Sequence, residues 1–219
     1  MTAGTQRLSA GWLVALGLLL ARVVPAAAAQ ATPPDVLVKN VTQEVIGIIS
    51  RDRDIRAGDT QKVIDLVEQK VLPHFNFEDM TALAVGRNWR SASATQKKEL
   101  IAEFKTLLVR TYASALAAYR DERFEFIPLQ ADPDATDVTV RVRVMRPGRQ
   151  AVSIDYAMEK MPGGWQVYDV LVDGVSLIAN YRTEFANQVR AGGIDGLIKA
   201  LRAKNEQLEH QARAQADKR

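Results

Sequence analysis

The stretch Gly163 to Arg190, GGWQVYDVLVDGVSLIANYRTEFANQVR, decides how this chain is read. A Gly-Gly turn releases a run rich in β-branched and aromatic residues, Trp165 to Val172, and Asp173-Gly174 then turns it into a pattern of helical period. Alternation sends Val167, Asp169 and Leu171 to one face of the strand and Gln166, Tyr168, Val170 and Val172 to the other, so both faces call for cover. In the helix, Leu177, Ile178, Tyr181, Phe185 and Val189 recur three or four residues apart, folding an apolar stripe back over the sheet that the strand has just left. Such a pair makes the middle of a core or the wall of a cavity.

Upstream, Arg123 to Leu129, Asp137 to Arg146 and Gln150 to Met161 read as three more strands. The tight turns Arg146-Pro147-Gly148-Arg149 and Pro162-Gly163-Gly164 make an antiparallel meander of the four. The second strand alternates cleanly, Val138, Val140, Val142 and Val144 against Thr139, Arg141, Arg143 and Met145, and the third matches it with Val152, Ile154, Tyr156 and Met158. Arg141, Arg143, Asp155 and Glu159 then form a solvated face of cross-strand ion pairs.

Before the sheet comes a series of helices. One runs from Asp35 to about Ser50, after a linker that ends in Pro33 and Pro34, and the polar string Arg51 to Gly58 reads as a loop. A second helix, capped by Asp59 or Thr60, carries Val63, Val67 and Val71 to Pro73. A short third, with acids in its first turn, runs from Asn76 to Gly86, and Trp89 falls in the connector beyond it. Ser93 or Thr95 opens the longest helix, whose stripe includes Phe104, Leu108, Tyr112 and Leu116; it is the natural second wall opposite the sheet. After the quoted stretch, Ala191-Gly192-Gly193 breaks the helix, and a last one carries Leu197, Ile198 and Leu201. The expected fold is α+β: a four-stranded antiparallel sheet wrapped by six to seven helices in one domain, residues 30–205, with 206–219 a polar tail, frayed or disordered.

Arg7, the apolar run Trp12 to Leu20, Arg22 and the string Ala26-Ala27-Ala28-Ala29 read as an export signal over 1–29, cleaved after Ala29. The apolar run is too short for a span, which needs about 20 apolar residues. Loss of those residues removes two arginines and no acid, so the formal net charge falls from +3 to +1. No basic patch remains for nucleic acid. The chain holds no cysteine, so the exported domain relies on its core alone.

The usual catalytic constellations fail in turn. Gly174-Val175-Ser176-Leu177-Ile178 begins like a nucleophile elbow but ends in Ile178 where the motif needs glycine, and Ser176 is better read as a helix N-cap. The two histidines, His74 and His210, leave no set of metal ligands, and with His210 in the polar tail a Ser-His-Asp group could rest only on His74, which follows Pro73 at a helix end and is better read as a capping or surface histidine. What remains is a surplus of large apolar surface. The sheet offers Val140, Val142, Val144, Ile154, Tyr156 and Val170; the long helix offers Phe104, Leu108, Tyr112 and Leu116. Met80, Leu83, Trp89, Val175, Ile178 and Tyr181 are placed to close the ends. These side chains either fill one another's gaps as an ordinary core or enclose an apolar pocket, and the residues alone leave both open.

The wording Asp-Gly-Val-Ser-Leu-Ile-x-Asn-Tyr-Arg-x-x-Phe, Asp173 to Phe185, resembles the toluene-tolerance, or MlaC, family of periplasmic phospholipid carriers. Gly86 with Trp89, Phe104, Thr111-Tyr112 and the run Gly193 to Ile198 match it in order, across about Asp35 to Asn205. The resemblance implies a cone similar to NTF2-like folds, whose curved sheet and helices enclose a pocket for acyl chains. It also implies a periplasmic, non-enzymatic carrier without a cofactor, whose cargo is glycerophospholipid. The implied partners are an outer-membrane lipoprotein-porin complex and an inner-membrane ABC transporter with its periplasmic lipid-binding subunit, and the implied role is to maintain outer-membrane lipid asymmetry. Two rivals stand beside that reading: an enzyme on the same cone, with Asp169 and Tyr168 handling a proton, and a binding module for an isoprenoid or an aromatic solvent.

Overall fold

The computed structural model describes residues 32–119 and 122–216. The expected export signal and its cleavage point lie outside them. Helix α1, Pro34–Arg51, starts on its proline, whose missing N–H costs nothing in a first turn. The segment read as a loop holds a one-turn helix, α2 (Arg53–Arg56), because Asp52 accepts from the N–H groups of Asp54 and Ile55. Helix α3, Thr60–Lys70, is capped by Asp59, and a 3-10 turn, Leu72–His74, follows it. Asn76 caps α4, Phe77–Val85, and a second 3-10 turn, Gly86–Ser91, carries Trp89. Before α5, Ala94–Ala117, Ser93 and Gln96 exchange side-chain and backbone hydrogen bonds, a reciprocal cap that satisfies two orphan groups.

The sheet is antiparallel with five strands in sequence order: β1 (Arg123–Phe126), β2 (Asp137–Met145), β3 (Val152–Met161), β4 (Gly164–Val172) and β5 (Val175–Ser176). Four strands were expected. The fifth arises because Asp173, at φ 49°, and Gly174, at φ 80°, turn the chain back in two residues, so Val175 pairs with Val172 before the helix begins. The Asp173 carboxylate also accepts from Ser153 N–H, tying this turn to β3.

The simple alternation expected for β4 is broken at Tyr168. Ala157 pairs with Asp169 and Met158 with Val167, leaving Tyr168 as the extra residue of a bulge. Val167 therefore joins Val170 on the apolar side. Across β2, β3 and β4 that side is tiled in rows: Val138, Met158 and Val167; Val140, Tyr156 and Val170; Val142, Ile154 and Val172; then Val144 and Val152. On the polar side Arg141 meets Asp155 and Arg143 meets Glu125.

Helix α6, Leu177–Ala216, is interrupted at Gly192 and Gly193. Gly193 sits at φ 66°, a region glycine enters without strain. The part beyond the kink lies along α5: Arg202 pairs with Glu99 and Glu103, Asn205 donates to Glu103, and Arg110 reaches both the Asn205 carbonyl and Glu209. The segment expected as a frayed or disordered tail from residue 206 thus carries helix to Ala216, with Leu208 packed on the helical core. Cross-helix partners hold it there, and those are not visible in its own polar composition.

Candidate functional site: an apolar trough

The buried apolar side chains of the described residues fall into three clusters, where a domain of this size ordinarily has one contiguous core. The first joins α4, α5 and α6 around Leu100, Phe104, Phe185 and Leu197. The second joins α1, α2, α3 and the far half of α5 around Ile49, Val63 and Ala113. The third is the apolar side of the sheet, with Val38 of α1 against it. Helix α5 builds the first two and contributes nothing to the third. It is the spine of the helical layer, and it does not pack into the sheet.

Sheet and helices meet at margins. Phe75 packs on both the first and third clusters, and Asn76 N–H donates to the Val167 carbonyl beside it, closing one end of the interface. At another margin, beyond the end of α5, Tyr119 stacks on Phe124 of β1 at 6.2 Å. Between these margins the apolar rows change character. Val138, Val140, Val142, Val144, Met158 and Val167 are buried, whereas Ile154, Tyr156 and Val170 are half-buried and Val172 is 39% exposed. Accessible aliphatic surface therefore runs along β3 and β4 on the apolar side of the sheet.

Tyr156 lies at the centre of this surface. Burial alone pushes its phenol up to about 12, as for a group with protein packed around it, yet the residue keeps accessible surface. On the helical side, Tyr112 of α5 is 42% exposed, and its hydroxyl is hydrogen-bonded to that of Tyr181 on α6. Burial again leads the causes that push Tyr181 up to about 12, with the neighbouring Tyr112 second. Beneath this pair the Phe104 ring meets both Tyr181 and Phe185 edge-on at 5.1 Å.

The sixteen expected pocket residues divide accordingly. Met80, Phe104, Leu108 and Ile178 are buried in the helical core, Val140 and Val142 in the sheet's own cluster, and Val144 is buried at the end of the same face. Ile154, Tyr156, Val170, Leu116, Tyr181 and Trp89 are half-buried; Leu83, Tyr112 and Val175 are exposed, Val175 to 55%. Trp89 packs on the helical core with Lys97 over its ring, and Leu116 packs on the second cluster. Two wall residues were not singled out from the sequence, Val152 and Val172, although the same two-residue period that marks Ile154 and Val170 includes them. Phe75 was missed as well; like Trp89 it is a large apolar residue in a connector and has to pack somewhere.

Asp169 and Tyr168 do not form a pair. The Asp169 carboxylate accepts from the Ser176 hydroxyl at 2.5 Å and from the N–H groups of Val170 and Ile178, while Ser176 caps the start of α6 through Ala179 N–H. The bulge turns Tyr168 to the polar side, where burial, with a hydrogen bond to Asp137 next, pushes its phenol up to about 12. Nearby, Asn76 Nδ2 donates to Asp79 and Glu159, and burial together with Asp79 raises the Glu159 carboxyl. A separate groove of about 530 Å³ is lined by residues 127–132, in the connection from β1 to β2, and by Asp137, Val138, Thr139 and Arg141 of β2. Among the described residues, no cluster of His, Cys, Asp and Glu is placed to hold a metal ion, and no helix is long and apolar enough to cross a membrane.

This is an α+β protein in which one antiparallel sheet presents a partly covered apolar face, the candidate trough, beside a layer of helices. A family model described as MlaC protein matches residues 39–203, and the chain belongs to that family. It is 25% identical over 191 residues to the "Intermembrane phospholipid transport system binding protein MlaC" of Haemophilus influenzae, covering 85% of this chain and 89% of that one. It is 22% identical over 179 residues to the "Toluene tolerance protein ttg2D" of Pseudomonas putida, covering 81% and 83%. Among solved structures, a phospholipid-binding protein from Ralstonia solanacearum in complex with a phospholipid superposes with a TM-score of 0.76 at 39% identity, covering 81% of this chain and 99% of that one.

Proposed function

We propose that this protein is a periplasmic phospholipid carrier, exported by a signal over residues 1–29 that is removed after Ala29, and that acyl chains occupy the trough. The observation that carries this reading is the unfilled apolar wall of β3 and β4, supported by relatives named for phospholipid transport and for a bound phospholipid. The physical need is plain. A two-chain lipid carries about 30 methylenes, and at ~0.8 kcal/mol each, exposing them to water costs on the order of 24 kcal/mol. A carrier removes that cost by lining its interior with aliphatic and aromatic side chains that grip without direction, which is the composition of the rows on β2, β3 and β4.

The carrier passes its cargo between an outer-membrane lipoprotein-porin complex and an inner-membrane ABC transporter with its periplasmic lipid-binding subunit, and so maintains outer-membrane lipid asymmetry. No cofactor takes part. Release follows when a docked partner favours a more open arrangement of sheet and helices; the trough's margins at Phe75 and at Tyr119 with Phe124 are where such a movement is resisted. The engagement of Asp169 by Ser176 and backbone N–H groups supports a role without bond chemistry.

The test is mass spectrometry of lipid extracts from natively purified protein, followed by uptake of phospholipid by the delipidated chain. Stoichiometric glycerophospholipid is the expected result. Extracts empty of lipid, together with no uptake, sink the proposal; an isoprenoid or an aromatic compound in the extract replaces the cargo.

A further inference from the structure

Tyr156 is the one hydroxyl in the aliphatic tiling of the sheet. Val140 and Val170 flank it across the strands, and Ile154 and Met158 precede and follow it on the same side of β3. Among the described residues no hydrogen bond to its phenol is present, and the oxygen is not sealed in, since Asn205 Oδ1 alone is fully enclosed without a partner. The hydroxyl is neutral at any physiological pH, and its side chain stands on the half-buried apolar face between Val140 and Val170.

Phenylalanine would serve an aliphatic wall better. A buried tyrosine hydroxyl ordinarily finds a partner, and leaving it without one is unfavourable. Here the partner has to come from whatever fills the trough. This step rests on the phospholipid reading above: below its headgroup, a diacyl glycerophospholipid offers hydrogen-bond acceptors only at its two ester groups, and its tails offer none. The phosphate does not fit beside Tyr156, because the row Val140, Tyr156, Val170 contains no cation and an anion among valines loses its hydration without compensation. The phenol also carries its hydroxyl clear of the neighbouring valines, so a carbonyl can meet it without descending to the sheet.

We propose that Tyr156 donates a hydrogen bond to an acyl ester carbonyl of the cargo, so that the carrier distinguishes ester-linked from ether-linked phospholipids of the same tail length. Specificity of this kind needs no headgroup contact. It works by leaving a polar atom unpaired when the wrong lipid is bound.

The experiment offers delipidated protein an equal mixture of dipalmitoyl and dihexadecyl phosphatidylglycerol, which differ only in the two linkages, and reads occupancy by native mass spectrometry. Wild type is expected to favour the diester about fivefold, the ratio set by one ordinary hydrogen bond. Tyr156→Phe is expected to lose that preference chiefly by taking up the diether better, because no hydroxyl is then left unpaired, and its continued uptake of both lipids shows that the fold is intact. Equal uptake of both lipids by wild type, or a preference that survives in Tyr156→Phe, overturns the assignment. Uptake of neither lipid by wild type overturns the carrier reading itself, and this inference with it.

Discussion

Replacing Ile154 with alanine separates a trough wall from a packed core. In a core, Ile→Ala removes contacts on all sides and costs 2–5 kcal/mol, roughly the range measured for cavity-forming changes. Ile154 is half-buried and belongs to none of the three buried clusters, so the lipid-free protein should lose less than about 1 kcal/mol. The loss should appear instead when cargo is bound. The change removes three carbons, and at ~0.8 kcal/mol per buried methylene the full effect is about 2.4 kcal/mol. With roughly half of that surface touching the tails, about 1.2 kcal/mol is lost and affinity should fall by about eightfold. Phe104→Ala is the matched opposite. Phe104 is 0% exposed and meets two rings edge-on, so its loss should cost about 3–5 kcal/mol of stability. Denaturant melts of delipidated protein and lipid titrations read the two quantities separately. If Ile154→Ala destabilises the empty protein by 2 kcal/mol or more and leaves uptake unchanged, the wall is ordinary core and the argument for a trough fails.

Other outcomes follow from individual contacts. Ser176→Ala removes the N-cap of α6 and should lower stability by about 1 kcal/mol in a urea melt, without changing which lipid is bound; an unchanged midpoint refutes the capping role. Gly193→Ala forces a side chain into φ 66° and should destabilise by about 1–2 kcal/mol, whereas a neutral result would mean that the kink is not needed. Glu159 is raised by burial and by Asp79, so the folded state holds its proton more tightly than the unfolded chain does. That contribution to stability is present in acid and disappears as pH climbs from the ordinary carboxylate range through the raised value. Glu159→Gln, which mimics the protonated form, should therefore gain on wild type as pH rises from 4 to 7 in paired melts; a difference that stays constant or shrinks contradicts it.

Much of this was readable along the chain because the signals are local. The alternation of β2 survives intact as exposed and buried residues in turn, since a strand's side-chain period is two whatever surrounds it. Asp59, Asn76 and Ser93 were placed at helix starts because capping involves residues two or three apart. The break at Gly192 and Gly193 was visible for the same reason. Parity failed at Tyr168, where a single extra residue re-aims Val167 and moves Tyr168 itself to the polar side, and where pairing with Met158 decides the outcome.

What the sequence by itself determined is therefore the kind of element each segment forms, the apolar face each presents, the antiparallel order of the main strands and the family likeness. Only the tertiary structure decided which of those faces fill one another and which stay apart. Phe104 and Ile154 look alike as members of apolar stripes, yet one is the centre of the helical core and the other faces an open trough. The difference lies in the spacing between elements far apart in the chain. That spacing is held by margin contacts such as Phe75 on Val167 and Tyr119 on Phe124, and no local period encodes it.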